Sequence, residues 1–458
     1  MAAGCSLTTG SAAATPAASG HGHAQASARI VATDWPAYLD GPRHDSDNRA
    51  ETAVTPTDAT GLTQAWHADS GTTYLASPTV ADGSVFIGSD TGWFYQLNVR
   101  TGQVEHKAFL GYDKTPGCYE NLGVVATATV AASPVTHRLT VYVAGADGYL
   151  YAFSAANLKL EWKSVVAIPS TSAPNYYQWS SPTVAGGRVY IGVSSECERP
   201  LVRGGVIAYS QATGRKLAAF YTVPAGHVGG GVWSSVAVGP GGYVYATTGN
   251  GPLTHVLLGR SESIVKLDPG SLQVAAAWQI PGPPPSYDTD FGGSPVIFGG
   301  DVGACNKDGM FYAVRQSDMR LAWQKRIGAV YSPKVWAECN AAPVYDGKHL
   351  YLAGGAVTLH GTRYRGSVQE RLASTGKLIW ETGLSEGVTG SPTLDGAGVL
   401  AVGTYDNGAA PEETYLVDAA TGRILRTLVE GLDFAQSTFA DGDLFTANST
   451  GVYAWAPG

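Results

Sequence analysis

An all-β fold, an eight-bladed β-propeller, is what this 458-residue sequence predicts. Three observations carry the prediction. One unit recurs eight times, its strands are short and separated by Gly turns, and no window keeps a helical period. The units start at Ser-Pro or a variant, at Pro78, Pro134, Pro182, Val236, Pro295, Pro343, Pro392 and Thr438. Gaps of 46 to 59 residues are the mark of a propeller or a similar repeat array.

The first unit shows each element in order. Ser77-Pro78-Thr79-Val80 opens a strand, and Asp82-Gly83 turns it. Val85-Phe86-Ile87-Gly88 is the second strand and Trp93-Phe94-Tyr95-Gln96-Leu97 the third. Thr101-Gly102 then turns the chain toward a fourth, because Gly reaches the positive φ that tight turns need. Later units repeat the second strand at Val141–Gly145, Val189–Gly192 and Leu350–Gly354, and the turn at Thr213-Gly214, Thr375-Gly376 and Thr421-Gly422. A Trp often follows on the outer strand: Trp162, Trp278, Trp323 and Trp380. One such sheet has two apolar faces, and radial stacking covers both. The last unit ends at Val452-Tyr453-Ala454-Trp455 with no room for an outermost strand. An N-terminal strand near Trp35-Pro36-Ala37-Tyr38 is expected to complete it and latch the ring.

The chain therefore divides into residues 1–31, a flexible tether expected to be disordered, and a single propeller over 32–458. Glycine (59), Tyr (24) and Trp (11) are abundant and only 14% of residues are charged, which suits a turn-rich β fold. The net charge is −8 and no Lys/Arg cluster occurs, which argues against a nucleic-acid partner. No stretch is long and apolar enough to span a bilayer. Ala2-Ala3-Gly4-Cys5 is similar to the end of a bacterial lipoprotein signal, and the Ala/Ser/Thr/Gly-rich segment to about Ser27 has a tether's composition. An extracytoplasmic protein with a lipid anchor at Cys5 is the expectation; a chance Cys in a tail is the plainer alternative. Cys118, Cys197, Cys305 and Cys339 permit two disulfides in three connectivities. Cys305 and Cys339 lie in successive units, where a disulfide would bridge neighbouring blades; free buried thiols are the plainer alternative. The absence of C-x-x-C and C-x-x-C-H excludes a zinc ribbon and covalent c-type haem.

The unit, Ser-Pro-Thr-Val, then Val-Tyr-x-Gly, then Asp-Gly-x-x-Tyr-Ala, then Thr-Gly-x-x-x-Trp, resembles the quinoprotein type of eight-bladed propeller over about residues 34–456. That superfamily includes the pyrroloquinoline quinone (PQQ)-dependent alcohol and polyvinyl-alcohol dehydrogenases, and BamB-like assembly lipoproteins that bind no cofactor. Fold alone does not choose between them. Several segments are similar to the dehydrogenases. Ser194-Ser195-Glu196, before Arg203-Gly204, resembles the stretch carrying a calcium-binding Glu. Thr248-Gly249-Asn250 resembles the Thr-Gly-Asn whose Asn binds calcium. Asp288-Thr289-Asp290-Phe291 resembles the stretch with the catalytic base, Asn306-Lys307-Asp308-Gly309 the one whose Lys contacts the quinone, and Gly231-Val232-Trp233 the one whose Trp floors it.

The resemblance implies calcium held by Glu196, Asn250 and Asp290, whose oxygens suit that ion. Asp290 or Asp288 would be the base, and Lys307, Trp233 and Arg203 would bind the quinone. Each residue also has a bland reading: Asn250 as a turn, Trp233 as inter-blade packing like Trp179, Lys307 in a solvated hairpin, and Glu196 with Arg203 as a loop ion pair. Three departures count against the enzyme. There is no Cys-Cys pair, Leu122 precedes the Gly where an Arg is often found, and no haem motif follows. Three readings stay open. The first is a calcium- and PQQ-dependent dehydrogenase of a small or polymeric alcohol or sugar. The second is a cofactor-free scaffold holding a protein partner, and the third a propeller enzyme with different chemistry. A monomer is expected, and the segments Phe109–Val130 and Gln279–Gly293 exceed ordinary hairpins.

Overall fold

A computed structural model describes residues 1, 29–69, 72–113, 122–169, 176–198, 200–252, 256–282, 288–329, 338–405, 413–428 and 435–458. Cys5, most of the tether and Cys118 lie outside them. Eight sheets, each built on four antiparallel strands, follow one another around an axis; two carry a short fifth strand, Tyr176–Tyr177 in one and Asp47–Asn48, which pairs in parallel, in the other. The first blade runs Thr79–Ala81, Ser84–Gly88, Trp93–Asn98 and Val104–Phe109, from axis to rim. Its second strand is wholly buried and its fourth almost wholly exposed, the gradient expected of sheets stacked radially.

The eighth blade comprises Thr438–Ala440, Asp443–Asn448 and Gly451–Ala456, closed by Thr63–Ala68 as its outer strand. The N-terminal part of the chain does latch the ring, but the strand lies near residue 65 rather than at Trp35–Tyr38. The reason is the outer-strand Trp. Trp66 donates its indole N–H to Val99 O of the next blade, as Trp162 does to Gln211 O, Trp323 to Ala373 O and Trp380 to Ala419 O. Each of these indoles covers the Gly of that blade's Thr-Gly turn. A Cβ on Gly214 would lie 2.5 Å from Trp162, and one on Gly422 2.5 Å from Trp380, and both glycines have positive φ.

The opening Ser-Pro-Thr motif has a physical meaning too. The hydroxyl of its first residue accepts the backbone N–H of the corresponding residue one blade earlier. The bonds run Gln436 to Ser77, Ser77 to Thr127, Thr127 to Ser181, Ser181 to Ser235 and Ser235 to Ser294, all at 2.8 to 3.0 Å, and Ala342 to Ser391 at 3.1 Å. The Thr two residues on donates to a carbonyl of the next blade, as Thr79 to Ala128 and Thr183 to Val236. This ring corrects two unit starts. Thr127-Ala128-Thr129 takes the place of Ser-Pro-Thr in blade 2, so Ala128 rather than Pro134 holds the proline position. In blade 8 Ser437, not Thr438, does so.

What precedes the latch strand is a strap across one end of the axis. Trp35 pairs with Val80 in blade 1, and Pro36 O accepts Val130 N–H in blade 2. Pro42, Arg43, Asp45 and Ser46 carbonyls accept N–H groups of Val238, Ile297, Tyr345 and Leu394 in blades 4 to 7. Asn48 reaches Phe439 O in blade 8. Leu39, Asp40, His44 and Ser46 have positive φ, so the strap is tightly coiled. These contacts fall at the far ends of the innermost strands, which seals that end and leaves the other open. Cys305 and Cys339 are joined, bridging blade 5 to the entry of blade 6. Cys197 is disulfide-bonded as well.

Candidate functional site

A cavity of about 470 Å³ lies on the axis at the open end. The hydroxyl ring forms its floor. Two residues earlier in each unit stand the side walls: Leu75 and Val125, then Trp179 and Trp233, then Gly292, Asn340 and Thr389. The charged groups come from the loops of blades 3 to 5: Glu196, Glu198, Asp288, Asp290 and Lys307.

Local backbone explains their convergence. Gly229 and Gly230 have positive φ, and this glycine run lets the Thr248-Gly249-Asn250 turn dock beside it. Gly249 N–H donates to Gly231 O, and Gly230 N–H to Asn250 O, both at 2.7 Å. Lys307 N–H donates to Asp290 O at 2.9 Å, so the two side chains start side by side. Gly292 leaves room for its neighbours: a Cβ there would lie 1.4 Å from Asn340 Oδ1 and 2.9 Å from Trp233.

The side chains form one network. Lys307 Nζ lies 2.9 Å from Asp288 Oδ1 and 2.9 Å from Asp290 Oδ1. It also lies 5.0 Å above the Trp233 ring. Trp233 Nε1 donates to Asp290 Oδ2 at 2.8 Å. Asn250 Nδ2 donates to Glu198 Oε2 at 2.7 Å and to Asp288 Oδ1 at 3.1 Å. Asn250, Asp288, Asp290, Lys307 and Trp233, singled out in the sequence, thus stand together.

Burial pushes Asp288 up, but Lys307 outweighs it and holds this carboxyl below the usual range. Asp290 stays raised: burial is its largest influence, with Lys307 opposing it and Asp288 adding to it. Burial would lower the Lys307 ammonium, yet Asp290, Asp288 and Glu198 together raise it. Perturbed groups of this kind, gathered in a cavity, are what catalytic and binding sites are built from.

Two other predicted residues stand apart. Arg203 does not line the cavity; its guanidinium lies 4.2 Å over the Tyr221 ring and its Nε donates to Val223 O. Glu196 does line the cavity, but the charge that acts on it is Asp113. Burial first, then Asp113, pushes it up to about 7. The carboxylate that meets Asn250 is Glu198, two residues on, raised by burial and by Asp290. Glu262 was not visible either. It is 2% exposed, its Oε2 has no hydrogen-bond partner, and burial with Asp290 and Glu198 pushes it up to about 9. Glu198 and Glu262 both have positive φ, unusual for Glu and common where a site holds strain.

Glu198, Asn250, Asp288 and Asp290 offer the hard oxygens that calcium takes. The buried carboxylates are short of positive charge, which a cation would supply. Among the described residues no three His, Cys, Asp or Glu side chains are gathered around a ready metal position. Trp233 offers a face for a planar ring. For a ligand's carboxylates Lys307 is the one cationic side chain among the described residues lining the cavity. Leu122, where the resemblance expects Arg, is 2% exposed and packs with Leu75, Val125 and Tyr177. The residues therefore fit the cation and the ring, and leave ligand carboxylates to neutral donors.

The comparisons agree with this architecture. A family model described as outer membrane protein assembly factor BamB matches residues 50–273 and 121–353, well over half of the chain. The quinohemoprotein alcohol dehydrogenase of Comamonas testosteroni superposes with a TM-score of 0.72 at 17% identity, covering 92% of this chain and 80% of its own. A europium-containing methanol dehydrogenase gives 0.72 at 15% identity, covering 93% and 91%. BamB of Moraxella catarrhalis gives 0.56 at 12% identity, covering 86% and 97%. At these identities the superpositions establish the fold. No curated protein matches the chain in sequence. The chain belongs to the PQQ-type propeller family whose model carries the BamB description.

Proposed function

We propose that the protein is an extracytoplasmic dehydrogenase, dependent on PQQ and calcium, that oxidises an alcohol or sugar hydroxyl. One observation carries the reading: Glu198, Asn250, Asp288, Asp290 and Lys307 interlock beside Trp233 in the axial cavity. Burying these three carboxylates together is costly, and a propeller that only presents its faces has no need of them. Glu198, Asn250 and Asp288 would hold the calcium, and Trp233 would pack on the quinone ring. When bound, the pair would supply a two-electron acceptor and a Lewis acid. Asp290 takes the substrate's hydroxyl proton: its raised proton affinity suits a base, and Trp233 and Lys307 fix its orientation. Lys307 offsets negative charge that develops beside it. The expected compartment is oxidising, as the Cys305–Cys339 disulfide and the bonded Cys197 favour. A lipid anchor at Cys5 belongs to the same proposal.

The test is reduction of a dye acceptor by protein supplied with PQQ and calcium. Activity that needs both, and that Asp290→Ala abolishes, supports the reading; full activity in Asp290→Ala would sink the assignment. A second reading, a cofactor-free propeller that holds a protein partner, is favoured by one observation. Lys307 is already engaged by Asp288 and Asp290, so with Leu122 where an Arg would bind quinone no free cation meets a ligand's carboxylates among the described lining residues. Dye reduction that appears only with PQQ and calcium would reject it.

A further inference from the structure

The floor of the cavity is a ring of hydroxyl groups, four of which meet no protein acceptor among the described residues. The oxygens of Ser77, Thr127, Ser181, Ser235 and Ser294 each accept a backbone N–H. Among the described residues, the hydroxyls of Ser77, Thr127, Ser181 and Ser235 meet no side-chain or backbone acceptor, while that of Ser294 is hydrogen-bonded to Tyr38. All five line the cavity, and each is at most 4% exposed. The ring changes character at two blades. Blade 6 has Ala342, and there the strap delivers Tyr38. Its phenol lies 3.2 Å from Ser391 Oγ and is also hydrogen-bonded to Ser294, so it restores a hydroxyl in the gap. Blade 8 has Gln436, whose amide turns away to Ser46, Pro392 and Leu39.

We propose that this floor is a carboxylate-binding ring, in which the hydroxyls of Ser77, Thr127, Ser181, Ser235 and Tyr38 donate to the anionic end of the ligand. A hydroxyl whose oxygen already takes an N–H is left chiefly as a donor. Several donors converging where no protein acceptor faces them match the need of an oxyanion, which binds hydrogen bonds more strongly than a neutral oxygen does. The upper cavity repels anions through Glu196, Glu198, Asp288 and Asp290, so an anionic group is best placed at the floor. The ring thereby does the work of the missing arginine: Leu122 offers no charge, and Lys307 is engaged by Asp288 and Asp290. Two ligands bring such a group, a PQQ carboxylate or the carboxylate of a hydroxy-acid substrate. The inference concerns this same cavity but stands without the cofactor reading.

Quenching of tryptophan fluorescence reports binding directly, because Trp179 and Trp233 line the cavity. The titrants are PQQ, its trimethyl ester and glycolate, with calcium present throughout. The expected result is tighter binding of PQQ than of the ester. Ser181→Ala/Ser235→Ala should weaken PQQ by roughly tenfold or more, the worth of one to two charge-assisted hydrogen bonds. Ser181→Thr/Ser235→Thr should keep the affinity, since Thr127 already serves in the ring. Tyr38→Phe removes a donor without orphaning a backbone N–H, and should weaken PQQ while leaving the melting temperature near that of the parent. PQQ and ester binding alike, or the alanine pair binding PQQ as the parent does, overturns the ring while leaving the quinone reading intact. Glycolate binding that is lost in the alanine pair, without any PQQ binding, keeps the ring and removes the quinone. No binding of either carboxylate overturns the ring.

Discussion

Replacing Lys307 by Met tests how the site's charge is balanced. The ammonium is 13% exposed and touches Asp288, 16% exposed, and Asp290, 1% exposed, at 2.9 Å each. Met keeps the stem and removes the charge. Two buried carboxylates are then left facing Glu198 and Glu262 with no cation, and breaking a buried pair this way costs about 3–5 kcal/mol. A chain of this length unfolds with an entropy of roughly 1 kcal/mol/K, so the melting temperature should fall by about 3–5 °C at pH 7.5. The pH dependence fixes the cause. In the parent, Lys307 holds Asp288 below its unfolded value, so that carboxyl's stabilisation is present above pH 4 or so and lost only in stronger acid. In the variant, burial acts unopposed and raises both carboxyls. Their ionisation then opposes folding, and the deficit grows as pH rises through their folded values. The gap between parent and variant should therefore be wide at pH 7.5 and narrow at pH 5, read by differential scanning calorimetry without calcium. Equal melting temperatures at pH 7.5, or a gap that does not change between pH 5 and 7.5, would refute the reasoning.

The other predictions are shorter. Glu262, raised from 4.5 to about 9, favours the folded state while protonated, so its contribution declines as pH rises through that window; Glu262→Gln should flatten the loss in melting temperature between pH 5 and 9. Gly292→Ala puts a methyl 1.4 Å from Asn340 Oδ1, and a cost of about 1–3 kcal/mol with weakened ligand binding is expected; a variant as stable as the parent contradicts the packing described. The Cys305–Cys339 bridge spans 34 residues, and the double Ser variant should lose about 4 kcal/mol by the chain-entropy estimate, with unchanged urea unfolding as the contrary result. Trp162→Ala removes an indole that bonds Gln211 O and covers Gly214, for which about 3–5 kcal/mol is expected in the same assay.

The fold was legible because the repeat has to satisfy the same contacts from blade to blade. Ser-Pro-Thr, Thr-Gly and the outer-strand Trp each serve one inter-blade bond, so each recurs. The errors fell where chemistry survived a change of residue. Ala128 replaces Pro without disturbing the hydroxyls on either side, so Pro134 looked like the better start. Trp66 carried the outer-strand signal, and the latch was readable from it, but Trp35 lay nearer the expected start of the domain. The site was legible as residue types in order, since Asn250, Asp288, Asp290, Lys307 and Trp233 sit on loops that the blades deliver to one end. Glu196 and Glu198 were not separable, because the strand ends at Ser195 and a positive φ at Glu198 redirects the chain. The strap was misread as a strand at Trp35–Tyr38: its bonds to blades 1, 2 and 4 to 7 are backbone bonds, which leave no side-chain pattern.

The most direct test of the central claim is calorimetric titration of PQQ into the purified protein, with and without calcium, in the parent and in Glu198→Ala. The account predicts binding that requires calcium and is lost in the variant. Absence of binding under both conditions, or binding indifferent to calcium and to Glu198, would contradict it.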